Sequence, residues 1–252
     1  MVIGVALFDG AEELDWAGPW EVLAAWAEQW PADGVRVFTL ARENRTITCA
    51  KGLRVLPDET WKTAPPLDVL VYPGGRGTRK ELADEAVLDW VRGIAGSGAV
   101  VSSVCTGSLV LAAAGLLDGL PATTHWASLE LLPTLGNEIE VRPDDRFVDT
   151  GDVITAAGVS AGIDMALHLV ARLHSPERAR EVRRYIQYDP EPPVCVITRL
   201  RRPAQRVVVA LRAAGEHGGR RACARVVLAG DGDRAAEGVG NRGRAGLPGR
   251  AA

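Results

Sequence analysis

The sequence predicts an α/β protein built on a doubly wound, mostly parallel sheet with helices on both faces. Short apolar segments rich in β-branched residues alternate along the chain with longer segments of helical periodicity. Strands that alternate with helices in this way form parallel sheets that are covered on both faces. The chain has 252 residues, which is enough for one large domain of this class.

Each element follows from its own local pattern. Apolar or β-rich runs predict strands over residues 2–8, 35–40, 47–49, 53–56, 67–72, 99–104, 122–125, 139–141, 146–149 and 153–156. Helical spacing predicts helices over residues 19–30, 79–95, 107–117, 127–135, 161–173 and 176–188. Pro19 is placed at the first position of its helix, where its missing N–H is tolerated. Together these elements form one predicted domain over residues 1–193.

Residues 194–252 form a predicted tail of different composition. The first 195 residues carry 17 Lys and Arg against 28 Asp and Glu, whereas residues 196–252 carry 12 Arg against four acids and contain ten glycines. A basic segment rich in Gly, Ala and Arg, without aromatic residues, is expected to be largely disordered. Such tails can bind nucleic acid, but they are more often solvated extensions, so we do not expect nucleic-acid binding.

Cysteine usage and hydropathy favour a cytoplasmic protein. The four cysteines are widely spaced, with no C-x-x-C pair and no Cys/His cluster, which disfavours a disulfide framework or a metal site. No basic segment precedes the first apolar run, so no signal peptide is expected. No apolar stretch reaches the roughly 18 residues of a membrane helix, so no membrane partner is expected.

Residues 99–119 contain the candidate nucleophile. Cys105 lies at the junction of a predicted strand and a predicted helix, with only Thr106 before Gly107. Backbone N–H groups and the helix dipole favour an anion there, so we expect a depressed pKa for this thiol. The arrangement is that of a strand–nucleophile–helix elbow with Cys in place of Ser. The alternative is a small apolar Cys packed beneath the helix.

Three predicted strands end on the same side of the sheet, where open α/β folds bind their ligands. The loop after the first strand carries Asp15, another strand end carries Gly74 and Gly75, and the third ends at Cys105. The thiol would serve as nucleophile, the carboxyl as proton carrier and the glycine amides as oxyanion cradle. Because the helix is predicted to begin at Pro19, Asp15 is placed in the preceding loop. Taken by itself, an acid before a helix more commonly serves as a charge or cap for that helix.

Several motifs along residues 1–193 resemble the ThiJ/PfpI superfamily, whose members have a flavodoxin-like, class I glutamine amidotransferase-like fold with a strained elbow cysteine. The matching segments are L-D-W-A-G-P at 14–19, P-G-G at 73–75, S-V-C-T-G-S-L at 103–109, T-T-H-W at 123–126, G-V-S-A-G-I-D at 158–164 and Y-D-P-E-P-P at 188–193. More specifically, the chain resembles those members of the superfamily that hydrate isonitriles (isocyanides).

Two positions favour that branch. Protease-like members have C-H-G where this chain has C-T-G, with Thr106, and stress-protein and glyoxalase-like members place a Glu where this chain has Asp15. The same features match the amino-terminal domain of AraC-type transcriptional regulators, which continue into two helix-turn-helix units. Residues 194–252 are too short and too rich in glycine for those units. A ligand-sensing domain of such a regulator, or another cysteine-dependent hydrolase of the superfamily, is the alternative.

The resemblance implies that a homodimer converts a small-molecule isonitrile and water to an N-substituted formamide through a thioimidate, without metal or organic cofactor. Cys105 would attack the isonitrile carbon, while Asp15 would donate and recover a proton. Thr106 would orient one of these two groups, and the amides of Gly75 and Thr106 would hold the reacting end of the substrate. The candidates for lining the pocket of the organic group are Trp16, His125 and Trp126.

Overall fold

A computed structural model describes residues 1–190 of the chain. The strands among them are β1 (Val2–Ala6), β2 (Arg36–Ala41), β3 (Ile47–Thr48), β4 (Arg54–Val55), β5 (Glu59–Thr60), β6 (Val69–Tyr72), β7 (Val100–Val104), β8 (Pro121–Ala122), β9 (Glu140–Val141), β10 (Phe147–Asp149) and β11 (Val153–Ala156). The predicted tail at 194–252, which includes two of the four cysteines (Cys195 and Cys223), lies outside the described residues.

The helices alternate with these strands. They are α1 (Glu13–Gln29), α2 (Thr78–Glu81), α3 (Glu85–Gly96), α4 (Gly107–Ala113), α5 (Ala161–Leu173) and α6 (Pro176–Tyr185). Short 3-10 helices cover Pro31–Asp33, Trp126–Ser128 and Leu132–Thr134. None of the helices in residues 1–190 is both long enough and apolar enough to cross a membrane.

The central sheet has the strand order β10-β11-β7-β6-β1-β2-β5. All its neighbouring strands run parallel except the edge strand β10, which pairs antiparallel with β11. The strands β3 and β4, predicted over 47–49 and 53–56, pair with each other antiparallel, and β8 pairs with β9 in a further small sheet. The mostly parallel architecture predicted from the sequence is therefore confirmed.

Two groups of helices cover the sheet. Helices α1, α5 and α6 contact one another, and α2, α3 and α4 form the second group. The central strands β1, β6 and β7 are almost fully buried between them. Burial on both faces explains why these strands read as continuous apolar runs. Their carboxyl ends meet at one edge of the sheet, and this edge holds the candidate site.

The start of α1 differs from the prediction. The helix begins at Glu13, so Asp15 lies in its first turn and Pro19 lies inside the helix. Two acids in the first turn suit the positive end of the helix dipole. Pro19 costs the helix one N–H, and its ring packs against α5, where a Cβ on Gly162 would lie 3.0 Å from the Pro19 Cγ.

Other boundaries also differ. The predicted helix over 79–95 is split, because the Asp84 side chain accepts the Ala86 N–H at 3.0 Å and caps α3. The helix predicted over 107–117 ends at Ala113, since Gly115 adopts a φ of 78° and stops it. The helix predicted over 127–135 is replaced by two 3-10 turns. The strand predicted over 122–125 shrinks to β8, and the helix predicted to 188 ends with α6.

Candidate active site

Cys105 lies on a strained turn between β7 and α4. Its φ of 57° is in the left-handed region, which residues with a Cβ rarely adopt. Its N–H donates to the carbonyls of Ala156 and Ala157 at 3.1 and 3.0 Å. Its carbonyl accepts from the hydroxyls of Ser108 and Thr124 at 3.0 and 2.9 Å. The strand–cysteine–helix elbow is thus present, and the residue is only 6% exposed.

Asp15 is the carboxyl that faces this thiol. It lies in the first turn of α1, not in the preceding loop, and is fully buried. Its Oδ2 accepts the Gly74 N–H at 3.0 Å. The Cys105 thiol and the Val159 N–H also lie close enough to the carboxyl to lower its pKa. The sequence therefore placed Asp15 on the correct side of the sheet but in the wrong kind of element. Asp15 and Cys105 together are called the acid–thiol pair below.

The acid–thiol pair has unusual proton affinities. Burial raises the pKa of the Asp15 carboxyl to about 7, although the hydrogen bonds that it accepts act in the opposite direction. Burial and the negative charge of Asp15 raise the pKa of the Cys105 thiol to about 12. The depressed thiol pKa expected from the sequence is wrong, because α4 has only seven residues and the site is buried beside a carboxylate. Between these two pKa values the pair holds a single shared proton.

Gly74 and Gly75 shape the floor of the site. A Cβ on Gly74 would lie 2.4 Å from the Thr106 nitrogen and 2.9 Å from Asp15 Oδ2. Gly75 has a φ of 127°, and a Cβ there would lie 2.4 Å from the carbonyl oxygen of Gly10. The N–H of Gly74 donates to Asp15, and that of Gly75 donates to Thr106 Oγ1 at 2.9 Å. The amides predicted to cradle a ligand are therefore already used within the protein.

Thr106 acts on the thiol through its backbone. Its N–H favours the thiolate and so acts to lower the pKa of Cys105, against the larger effect of burial. Its hydroxyl accepts from the Gly75 N–H and lies 3.2 Å from the hydroxyl of Thr78. The side chain thus fixes the Gly75 turn, and its predicted role of orienting the thiol or the acid is not seen in these hydrogen bonds.

Val159 completes the site and was not singled out from the sequence. It lies in the loop between β11 and α5, and its N–H acts to lower the pKa of both members of the acid–thiol pair by stabilising their ionised forms. Its φ of 49° is rare for a β-branched residue, so its surroundings must hold it in place. The G-V-S-A-G motif marks this position in the sequence. A valine, however, gives no sequence signal of a positive φ.

The three predicted pocket-lining side chains have different surroundings. The His125 ring packs on the loop that faces the thiol, where a Cβ on Gly158 would lie 2.4 Å from His125 Cδ2. Burial lowers the pKa of His125 and so favours its neutral form. Trp126 is 66% exposed, whereas Trp16 is buried with its indole beside the thiol of Cys49. Of the three, His125 is the one that packs on the loop carrying Val159.

A separate cleft of about 410 Å³ opens at the carboxyl ends of β1, β2 and β6. Its lining includes Phe8, Trp61, Tyr72, Glu81 and Trp90. The acid–thiol pair does not line it, so this cleft is distinct from the candidate active site. Within residues 1–190, no three His, Cys, Asp or Glu side chains come together as a group that could hold a metal ion.

A strained cysteine at a strand–helix elbow, paired with a buried carboxyl, defines an α/β protein with a cysteine in the nucleophile position. The chain belongs to the DJ-1/PfpI family, whose family model matches residues 1–172.

Named relatives include both an enzyme and a transcriptional regulator. The chain is 43% identical over 191 residues to a Pseudomonas putida protein named isonitrile hydratase. The matched region covers 76% of this chain and 80% of that protein. It is 32% identical over 158 residues to the HTH-type transcriptional regulator GbdR of Pseudomonas aeruginosa, covering 61% of this chain but only 41% of the regulator. The crystal structure of a THiJ/PfpI family protein from Pseudomonas syringae matches with a TM-score of 0.70 and 33% identity over 77% of each chain.

Proposed function

We propose that the protein is a cytoplasmic, homodimeric isonitrile hydratase, which converts an isonitrile and water to an N-substituted formamide. The observation that carries the proposal is the buried contact between Asp15 and Cys105, in which the carboxyl has a pKa raised to about 7. An isonitrile carbon must accept both a nucleophile and a proton, and this pair offers the two from adjacent atoms. The identity to the Pseudomonas putida isonitrile hydratase supports the same reaction.

In the first half of the reaction, the thiol proton passes to the Asp15 carboxylate and the Cys105 sulfur adds to the terminal isonitrile carbon. Asp15 then delivers that proton to the same carbon, which gives the thioimidate R–N=CH–S–Cys and restores the carboxylate. The N–H groups of Thr106 and Val159 stabilise the negative charge on sulfur before the C–S bond forms.

In the second half, a water molecule adds to the thioimidate carbon. Asp15 transfers one water proton to the nitrogen and the other to the departing sulfur as the C–S bond breaks. The water oxygen becomes the carbonyl of the formamide R–NH–CHO, and Cys105 returns as a thiol. The carboxyl therefore acts as acid and base in turn, which requires a pKa near the working pH.

The test is formamide production from cyclohexyl isocyanide by the purified protein, followed by chromatography and mass spectrometry. We expect turnover by the wild-type protein and only background formation by Cys105→Ala. The matched control is Cys49→Ala, which removes the other buried thiol of residues 1–190 and is expected to retain turnover. Absence of formamide with folded wild-type protein contradicts the proposal.

The identity to GbdR favours a second candidate, the ligand-sensing domain of an AraC-type regulator. This chain spans less than half of that regulator's length. Gel shifts with duplex DNA at two salt concentrations separate the candidates, because DNA binding through phosphate contacts weakens steeply as salt increases. Salt-dependent DNA binding without formamide production would favour the regulator.

A further inference from the structure

The loop that carries Val159 is held from outside by three side chains, called the loop clamp. Arg146 lies just before β10, Asp164 in the first turn of α5 and Tyr188 beyond the end of α6. Arg146 Nε donates to Asp164 Oδ2 at 2.8 Å, and its Nη2 contacts the same oxygen. The Tyr188 hydroxyl donates to the other oxygen, Oδ1, at 3.0 Å. Both oxygens of Asp164 are therefore engaged.

Arg146 also contacts the loop on both sides of Val159. Its carbonyl accepts the Ala157 N–H at 2.9 Å, and its Nη2 lies 3.4 Å from Ser160 Oγ. The Ala157 carbonyl in turn accepts the Cys105 N–H at 3.0 Å. One residue thus connects the loop before Val159, the loop after it and, through Asp164, the first turn of α5.

Val159 depends on such support. A positive φ at a β-branched residue is unfavourable, and relaxation to a negative φ would rotate the N–H away from the sulfur. The start of α5 holds the loop through its backbone, because the carbonyls of Gly158 and Val159 accept the N–H groups of Ala161 and Gly162 at 3.2 and 3.3 Å. Ser160 adds no side-chain cap. The loop clamp adds the side-chain contacts, which hold the loop from the side of β10 and from the residues beyond α6.

We propose that Arg146 and Asp164 are positioning residues for the nucleophile. With Tyr188, they hold Val159 in its strained conformation and so keep its N–H directed at the Cys105 sulfur and the Asp15 carboxyl. The inference rests on the proposed role of Cys105 as the nucleophile, but it does not depend on the identity of the substrate. Neither residue touches the reacting atoms.

The readout is the pH profile of Cys105 alkylation by iodoacetamide, followed on its own peptide by mass spectrometry. Because the pair shares one proton above the pKa of Asp15, the reactive thiolate form should rise with a midpoint near pH 7 and then level off. If a variant only changes access to the thiol, the alkylation rate changes by the same factor at every pH and the midpoint stays where it is. If the Val159 N–H no longer stabilises the Asp15 carboxylate and the Cys105 thiolate, the pKa of the pair increases and the midpoint moves to higher pH. The other titratable side chain beside the loop, His125, is unchanged in every variant.

The variants are Arg146→Met and Asp164→Asn, for which we expect the midpoint to rise by about 0.5–1 pH unit. The matched control is Arg172→Met. Arg172 pairs with Asp149 at 3.2 Å at the opposite end of α5, so its loss should lower stability without moving the midpoint. Tyr188→Phe removes only the hydroxyl on Asp164 and should produce a smaller shift in the same direction.

An unchanged midpoint in folded Arg146→Met and Asp164→Asn would overturn the proposal, as would an equal shift in the Arg172→Met control. If Asp164→Asn does not fold, Tyr188→Phe decides the question through the same midpoint. Alkylation needs no isonitrile. A wild-type protein that fails to hydrate isonitriles but shows these shifts would therefore contradict the proposed function alone.

Discussion

Two aspartates at opposite ends of α1 behave in opposite ways. Asp15 lies in the first turn of the helix, and Asp33 lies just beyond its last turn. Burial raises the pKa of Asp15 to about 7, whereas the hydrogen bonds from Arg178 lower the pKa of Asp33 despite partial burial. The side chain is the same, so the difference comes from the partners that each carboxyl meets.

The partners of Asp33 are donors and cations. Its carboxylate accepts from Trp26 Nε1 at 2.7 Å and from the Arg178 Nε and Nη2 at 2.7 and 3.1 Å, with His174 Nε2 at 3.3 Å. These contacts fasten α6 to α1, and they stabilise the ionised form. Asp15 meets a thiol and backbone amides, so its proton stays available. A carboxylate paired with a guanidinium supports the fold, whereas one paired with a thiol can move a proton.

The largest expected effect is on turnover. Asp15→Asn keeps the shape of the side chain but cannot transfer a proton, so we expect isonitrile hydration to fall by about 10²–10⁴-fold. Asp33→Asn, the matched change at the other end of α1, should leave turnover close to wild type. Both rates are measured with cyclohexyl isocyanide. Near-wild-type turnover in Asp15→Asn would move the acid role to Glu12 or Glu13.

The two aspartates should also give stability opposite dependences on pH. The pKa of Asp15 is about 7 in the folded protein and about 4 in the unfolded chain. The stabilisation that comes from the tighter proton binding of the folded state is therefore fully present below about pH 4 and is lost as the pH rises to about 7. We expect its contribution to the free energy of unfolding to fall by roughly 1.4 kcal/mol per pH unit in this window. Asp33, with its lowered pKa, stabilises the fold above about pH 4 and loses this effect as the pH falls.

Urea unfolding of wild type and Asp15→Asn at pH 5, 6 and 7 measures this contribution. The difference between the two proteins should grow with pH in favour of the Asn variant. A constant difference would mean that Asp15 is ionised throughout the range.

A third effect concerns the reactivity of the thiol. In the wild-type protein, alkylation of Cys105 should level off above about pH 7, because further deprotonation must wait for the second pKa near 12. In Asp15→Asn the shared proton is gone, so alkylation should continue to rise with pH and exceed the wild-type rate by about tenfold at pH 8. A variant that alkylates faster but hydrates more slowly would separate the two roles of the pair.

The smallest expected effect is the loss of the Asp33 contacts. Asp33→Asn should lower the thermal unfolding midpoint by roughly 3–8 °C, because it removes the charge from a group that holds Arg178. Scanning calorimetry measures this value, with Asp152→Asn as an exposed control. An unchanged midpoint would show that this cluster does not stabilise the fold.

The sheet and the elbow could be predicted because both depend on local sequence patterns. Buried parallel strands give continuous apolar runs, and the C-T-G junction follows one of them directly. The start of α1 has two conflicting signals in the sequence. Glu13 and Asp15 suit a first helical turn, whereas Pro19 suits a first helical position and so points to a later start.

The proton affinities of the site could not be predicted from the sequence. The pKa of Cys105 depends on burial and on a carboxylate that arrives from another element, and local spacing pointed in the opposite direction. The amides of Gly74 and Gly75 were expected to face a ligand, but tertiary packing turns them toward Asp15 and Thr106. The same is true of Val159, whose backbone conformation is set by the loop clamp.

The crowding around Gly74 and Gly75 determines how a survey of all single substitutions would rank the positions by their tolerance to change. Any side chain at either glycine would collide with backbone atoms, so both positions should be as intolerant as Cys105 itself. A map of sensitive positions would therefore include the glycines that surround the site as well as Cys105, and it would not show which of these residues takes part in the reaction. Only a screen that scores the amount of folded protein separately from turnover per molecule would distinguish the atoms that react from those that leave room for them.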